Sequence, residues 1–118
     1  MLDSLKSGKH VFVEKPLAIY EHELEDIKEF YQNAEVKPVL QVGYNRRFAP
    51  LVEEMKKAAG NLPMSINYRV NAGIIPRDVW VQDPEIGGGR ILGEACHFID
   101  TCTYLTGSLP ESVYASCV

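Results

Sequence analysis

The chain has no glycine-rich phosphate loop: no GxGxxG occurs anywhere in its 118 residues. A dinucleotide is gripped by such a turn, which lets backbone approach the pyrophosphate at a helix N-terminus. Gly87-Gly88-Gly89 is no substitute, because it comes late and follows no strand. The sequence also lacks any apolar stretch approaching the roughly 18–20 residues of a membrane span, and no signal peptide precedes Lys6. It lacks a charge block. The formal charge is −4 with acidic and basic residues interspersed, so neither a nucleic-acid footprint nor a polybasic membrane patch is present. Cysteines are few. Cys96, Cys102 and Cys117 form no CxxC pair and are odd in number, which favours buried reduced thiols over a disulfide framework. No metal site is expected, since His10 and His22 lie far from His97 without ligand spacing.

What remains is average globular material, with 46% hydrophobic and 24% charged residues, which argues against disorder. The expectation is a soluble, cytoplasmic, incomplete domain. Residues 1–7 read as the end of a helix closed by Gly8. His10-Val11-Phe12-Val13 is a short apolar run, the pattern of a strand buried on both faces. Tyr20, Leu24, Ile27, Tyr31 and Ala34 recur at helical spacing, giving an amphipathic helix with an acidic outer face. Residues 38–44 form a second buried-strand candidate. A short helix runs from Pro50, a residue suited to the first helical position, to a stop at Gly60. Strand–helix–strand–helix implies a parallel sheet with right-handed crossovers.

The second half differs. Met64, Ile66, Tyr68, Val70 and Ala72 alternate with polar residues, which predicts a half-solvated strand. A loop follows over 73–88, then a helix over about 89–106, ended by Gly107 and Pro110, and a last strand over 112–118. A chain that starts mid-domain and ends mid-sheet reads as a fragment. Its fold class is α/β, a truncated parallel Rossmann-type sheet followed by the first strand–helix–strand of an α+β substrate domain. The boundaries are 1–48 for the end of the dinucleotide-binding domain and 49–118 for the start of the substrate and oligomerisation domain.

The 89–106 helix carries the chemistry. Leu92, Ala95, Ile99, Cys102 and Leu105 make an apolar stripe, and Arg90, Glu94, His97, Thr101 and Tyr104 a second one. Glu94 and His97 are three apart, hence neighbours, and a carboxylate beside an imidazole favours the imidazolium and orients the ring. On spacing alone the stripe reads first as a solvated helix face with a salt bridge, because charge stripes are usually solvent faces. Lys15 bears on that choice. It lies between an apolar strand and Pro16, at a strand's carboxyl end, where open α/β sheets place their ligands and where an amine can bind ribose or substrate hydroxyls.

Three strings in order, Gly8 through Ala18 with Glu14-Lys15-Pro16, Val42 through Pro50, and Gly87 through Gly107, resemble the Gfo/Idh/MocA oxidoreductases, the NAD(P)-dependent sugar and cyclitol dehydrogenases. Residues 75–100 look closest to the subgroup fused to zinc-type dehydrogenases. The resemblance implies hydride transfer between NAD or NADP and a sugar or cyclitol hydroxyl or ketone. It implies catalytic roles for Lys15, His97 and Glu94, with His97 as general acid/base. Glu14, Lys15, Pro16, Asn45 and Arg46 would face the cofactor, and Lys15, Trp80, Arg90 and His97 the substrate. Many members carry an aspartate four residues before the histidine, where this chain has Gly93; Glu94 stands one place later, about 100° around a regular helix. With the phosphate turn absent, the isolated chain is expected to bind little or no cofactor, to be inactive alone and to self-associate. The alternative is a non-catalytic interaction fragment that folds against a partner chain carrying the missing strands.

Overall fold

A computed structural model describes residues 1–116 and arranges them as short helices around a two-stranded parallel sheet. The described residues divide into two units, 1–44 with 72–96, and 45–71 with 97–116.

In the first unit, α1 (Leu2–Lys6) stops where Gly8 takes φ +73°, a backbone conformation that glycine adopts without steric cost. β1 (Val11–Val13) and β2 (Leu40–Val42) pair in parallel with Val11 opposite Leu40 and Val13 opposite Val42. The ladder is extended by Val11 N–H donating to the Val39 carbonyl and Gly43 N–H to the Val13 carbonyl, each 2.8 Å. The Val39 N–H is satisfied by His10 Nδ1 at 2.8 Å, a structural use of that imidazole. Between the strands runs α2 (Glu21–Asn33). Its apolar side buries Ile27, and Leu5 of α1 is the most enclosed large side chain of the unit. Tyr31 Oη closes the connection by donating to the Pro38 carbonyl at 2.7 Å.

The strands are less enclosed than their sequence predicts. Phe12 is 63% exposed and Val39 59%. An apolar run buries both faces only when helices cover both, and here each strand has one partner among the described residues.

In the second unit, a 3-10 turn (Asn45–Phe48) leads into α3 (Pro50–Ala59), whose C-terminus is closed by Gly60 at φ +60°. Helix α4 (Cys96–Thr106) begins at the unit boundary. Arg47 Nε donates to Asp100 Oδ2 at 3.0 Å and its Nη2 to Oδ1, a two-pronged pair that holds the 45–48 turn on α4. The Arg47 guanidinium also lies 5.5 Å from the Tyr104 ring centre, and Arg46 lies 4.7 Å over Phe98. Lys56 Nζ donates to the Leu105 carbonyl at 2.9 Å, a cation at the negative end of α4.

Two expected strands are not formed. Residues 64–72 and 112–116 make no strand pairing, and the last two residues of the second expected strand lie outside the described residues. Alternation prepares one face for burial, but a strand also needs a neighbour for its N–H and C=O groups, and none is available among the described residues of this unit.

Candidate active site at Lys15 and the glycine-rich turn

The loop before the last helix folds tightly. Trp80–Gln82 form a 3-10 turn. The Asp83 carboxylate Oδ1 then accepts from the Glu85 N–H at 2.8 Å, and Gly87 N–H donates to the Asp83 carbonyl at 2.8 Å. Gly87 is buried against this turn so closely that a Cβ there would meet the Trp80 carbonyl oxygen and Val81 Cα at 2.7 Å. Only glycine fits. Gly88 and Gly89, at φ +69° and +71°, then swing the chain into a helical segment.

That segment does not start as an α-helix. Residues Ile91–Ala95 form a π-helical turn before α4 continues. A π turn inserts an extra residue and shifts the phase of every later side chain, and such turns occur frequently at functional sites. Gly93 lies inside it. The Lys15 ammonium, arriving from the end of β1, donates to the Gly93 carbonyl oxygen. Its Nζ also lies 3.6 Å from Glu94 Oε1, with the two side chains 20% and 36% exposed. The π turn therefore presents a carbonyl and a carboxylate side by side to one lysine. Gly93 brings no side chain of its own, and Glu94, one place later, brings its carboxylate to Lys15.

These groups line a cavity of about 150 Å³ with Pro16, Trp80, Val81, Gly87 and Arg90. Small-molecule sites run from roughly 300 to 1,000 Å³, so this cavity is too small to enclose a whole dinucleotide. An ammonium has three N–H donors. One is committed to the Gly93 carbonyl, while the Glu94 carboxylate at 3.6 Å is an ion-pair partner beyond hydrogen-bond reach. The Lys15–Pro16 peptide is cis.

Of the residues singled out from sequence, Lys15, Pro16, Trp80, Arg90 and Glu94 meet in this cavity. Glu14 lies apart from it. Its carboxylate sits over Gly43, where a Cβ would come within 2.8 Å of Oε2. Asn45, Arg46 and His97 belong to the second unit. Asn45 is exposed, and Arg46 is engaged with Phe98. His97 is buried at 7% exposure, and its carbonyl accepts from Thr101 Oγ1 at 2.8 Å. The solvated-face reading of the Glu94–Tyr104 stripe is therefore corrected for its middle. His97, Thr101 and Leu105 are the buried positions, whereas Ile99 of the expected apolar stripe is 53% exposed. Thr101 tolerates burial because its hydroxyl is satisfied within the helix. The Gly93 carbonyl at Lys15 and the Arg47–Asp100 pair were not legible in the sequence. A backbone acceptor leaves no mark in sequence, and Asp100 pairs with an arginine 53 positions earlier.

Among the described residues no group of three His, Cys, Asp or Glu side chains is placed to hold a metal ion. No helix of the described residues is long and apolar enough to cross a membrane.

The Lys15 amine thus has a carbonyl and a carboxylate beside it at a strand's end, and the relatives that the chain matches are oxidoreductases. It is 34% identical over 121 residues to a 1,5-anhydro-D-fructose reductase of Ensifer adhaerens, covering 97% of this chain and 35% of that protein. It is 30% identical over 122 residues to a trans-1,2-dihydrobenzene-1,2-diol dehydrogenase of Xenopus tropicalis, covering 98% and 36%. A myo-inositol 2-dehydrogenase of Thermotoga maritima matches at 30% over 113 residues, covering 93% and 33%. The chain thus spans about a third of the length of the curated relatives it matches. No family model matches, and no solved structure matches.

Proposed function

We propose that this chain is the segment of a Gfo/Idh/MocA-type oxidoreductase that joins the end of a truncated Rossmann-type sheet to the beginning of the substrate domain. The reaction is hydride transfer between a nicotinamide cofactor and the hydroxyl-bearing carbon of a sugar or cyclitol. The observation that carries this reading is the Lys15 ammonium held between the Gly93 carbonyl and the Glu94 carboxylate at the end of β1. It is supported by matched relatives whose names describe a sugar reductase, a cyclitol dehydrogenase and a diol dehydrogenase.

The residues present suit the nicotinamide end of NAD or NADP and not its pyrophosphate. Lys15 offers its ammonium to a ribose or substrate hydroxyl, with Glu14 and Pro16 flanking it and Asn45 and Arg46 assigned to the cofactor side. Bound nicotinamide supplies the hydride acceptor. The chain's own part is the proton. Lys15 polarises the reacting oxygen, Glu94 fixes the lysine's position, and His97, on the family resemblance, is the general base that takes the hydroxyl proton and returns it in the reductive direction. Trp80 and Arg90 position the substrate.

In the enzyme that contains this segment, His97→Ala is expected to lower turnover of a polyol substrate by roughly 10²–10⁴-fold, the usual cost of a lost general acid/base. Lys15→Ala is expected to lower turnover and weaken cofactor binding. Unchanged rates in both variants from about pH 6 to 9 reject the assignment.

A further inference from the structure

Three arginines of this chain are half-buried, and two are committed elsewhere. Arg47 is paired with Asp100, and Arg46 lies over Phe98. The third, Arg90, lines the cavity beside Lys15 and Glu94, and among the described residues its guanidinium makes no hydrogen bond, ion pair or ring contact. A guanidinium carries five donors and a charge that cannot be shed. The cavity therefore holds two cations against one carboxylate, and that carboxylate already lies 3.6 Å from Lys15.

We propose that Arg90 is a specificity residue for a carboxylate, so that the site takes a polyhydroxy acid such as a uronate in preference to a neutral sugar. This rests on the sugar-oxidoreductase reading for the hydroxyl-bearing ring, and on Arg90 alone for the acid group. A carboxylate accepts two parallel N–H bonds from the guanidinium fork, an arrangement that a hydroxyl cannot reproduce. The volume of about 150 Å³ fits an acid group with its neighbouring carbons. The Trp80 side chain, 64% exposed at the same cavity, gives the rest of the ring an apolar face to lie on.

The test is NMR titration of the 118-residue chain with D-glucuronate and D-glucose, a pair whose rings differ by the carboxylate. Glucuronate is expected to shift the Trp80 indole and Arg90 Nε–H signals and to bind at least about tenfold tighter than glucose, the value of a charge-assisted contact. Arg90→Gln is expected to abolish that preference. Arg90→Lys, which keeps charge but not the fork, is expected to reduce it several-fold, and it carries the test should the glutamine variant fail to fold. Equal binding of the two sugars, or a preference unchanged in either folded variant, overturns the carboxylate assignment and leaves a polyol site standing. Binding of neither sugar by a folded chain overturns the carboxylate assignment, whereas the oxidoreductase reading is tested separately by turnover of the His97→Ala and Lys15→Ala variants. Inorganic phosphate that binds tighter than glucuronate and is lost in Arg90→Gln assigns the arginine to a phosphate group and overturns the sugar-acid assignment.

Discussion

The Lys15 amine stands 3.6 Å from the Glu94 carboxylate while donating to the carbonyl of the residue before it. One lysine thus fixes the end of β1 to the π turn at two adjacent points. Both side chains remain partly solvated, so the ion pair is worth about 0.2–1 kcal/mol, and it weakens with salt. A double-mutant cycle of Lys15→Met and Glu94→Gln, followed by urea unfolding, is expected to give a coupling in that range that shrinks towards zero near 1 M salt. A coupling unaffected by salt would count against a partly solvated pair.

At the start of α2, the Glu23 carboxylate accepts from the Ile19 N–H at 2.9 Å and the Tyr20 N–H at 3.0 Å. These bonds, that of Tyr20 foremost, hold its pKa below the ordinary glutamate value of 4.5. A depressed carboxylate stabilises the folded state above its unfolded pKa, and that contribution is lost as pH falls through the folded pKa. Carboxyl NMR titration is expected to place Glu23 below the chain's exposed glutamates. Glu23→Gln is expected to weaken the acid-side pH dependence of α2 fraying. A Glu23 midpoint at or above 4.5 contradicts the bonding described.

Much of the first half was readable because its signals are local. Tyr20 precedes the 21–33 helix, Pro50 opens α3 and Gly60 closes it, and the two apolar runs at 10–13 and 38–44 contain β1 and β2. The meeting of Lys15 with Glu94 followed from strand-end placement plus resemblance. What was not readable depends on context beyond the local pattern. The π turn at Ile91–Ala95 carries no periodic signature, and it changes the phase on which the stripes through Glu94 and Leu92 were drawn. The burial of His97 and Thr101 and the exposure of Ile99 follow from what surrounds α4, not from hydrophobicity along it. Alternation at Met64–Ala72 reports a face prepared for burial, and pairing is a separate requirement.

Two glycines give opposite expectations. At Gly87 a Cβ would press at 2.7 Å on backbone atoms of Trp80 and Val81, which cannot yield without moving the turn. Gly87→Ala is expected to cost about 1–3 kcal/mol, the range of overpacking, and to shift emission from Trp80, the chain's single tryptophan. At Gly43 the nearest atom is the end of the flexible, exposed Glu14 side chain at 2.8 Å. Gly43→Ala is expected to cost less than about 1 kcal/mol. Denaturant midpoints together with the fluorescence maximum check both, and a reversed order would overturn the steric account of the Gly87 turn.

The chain by itself is expected to bind NAD and NADP weakly and to associate with itself. Dinucleotide affinity comes largely from pyrophosphate on a glycine turn with an acidic residue on the ribose, and no GxGxxG is present in these residues. Each strand of the parallel pair is paired on one side among the described residues, with Phe12 at 63% and Val39 at 59% exposure beside the open edges. A two-stranded sheet is marginal in water, and unpaired N–H and C=O groups flanked by apolar side chains recruit another strand. Sedimentation over a range of protein concentration is expected to show a concentration-dependent oligomer, and Phe12→Lys, which charges the strand, is expected to shift it towards monomer. Calorimetry is expected to give dissociation constants in the millimolar range or above, corresponding to roughly 4 kcal/mol of binding or less. A strictly monomeric chain that binds NAD with micromolar affinity would falsify both expectations and require a phosphate grip built without the glycine turn.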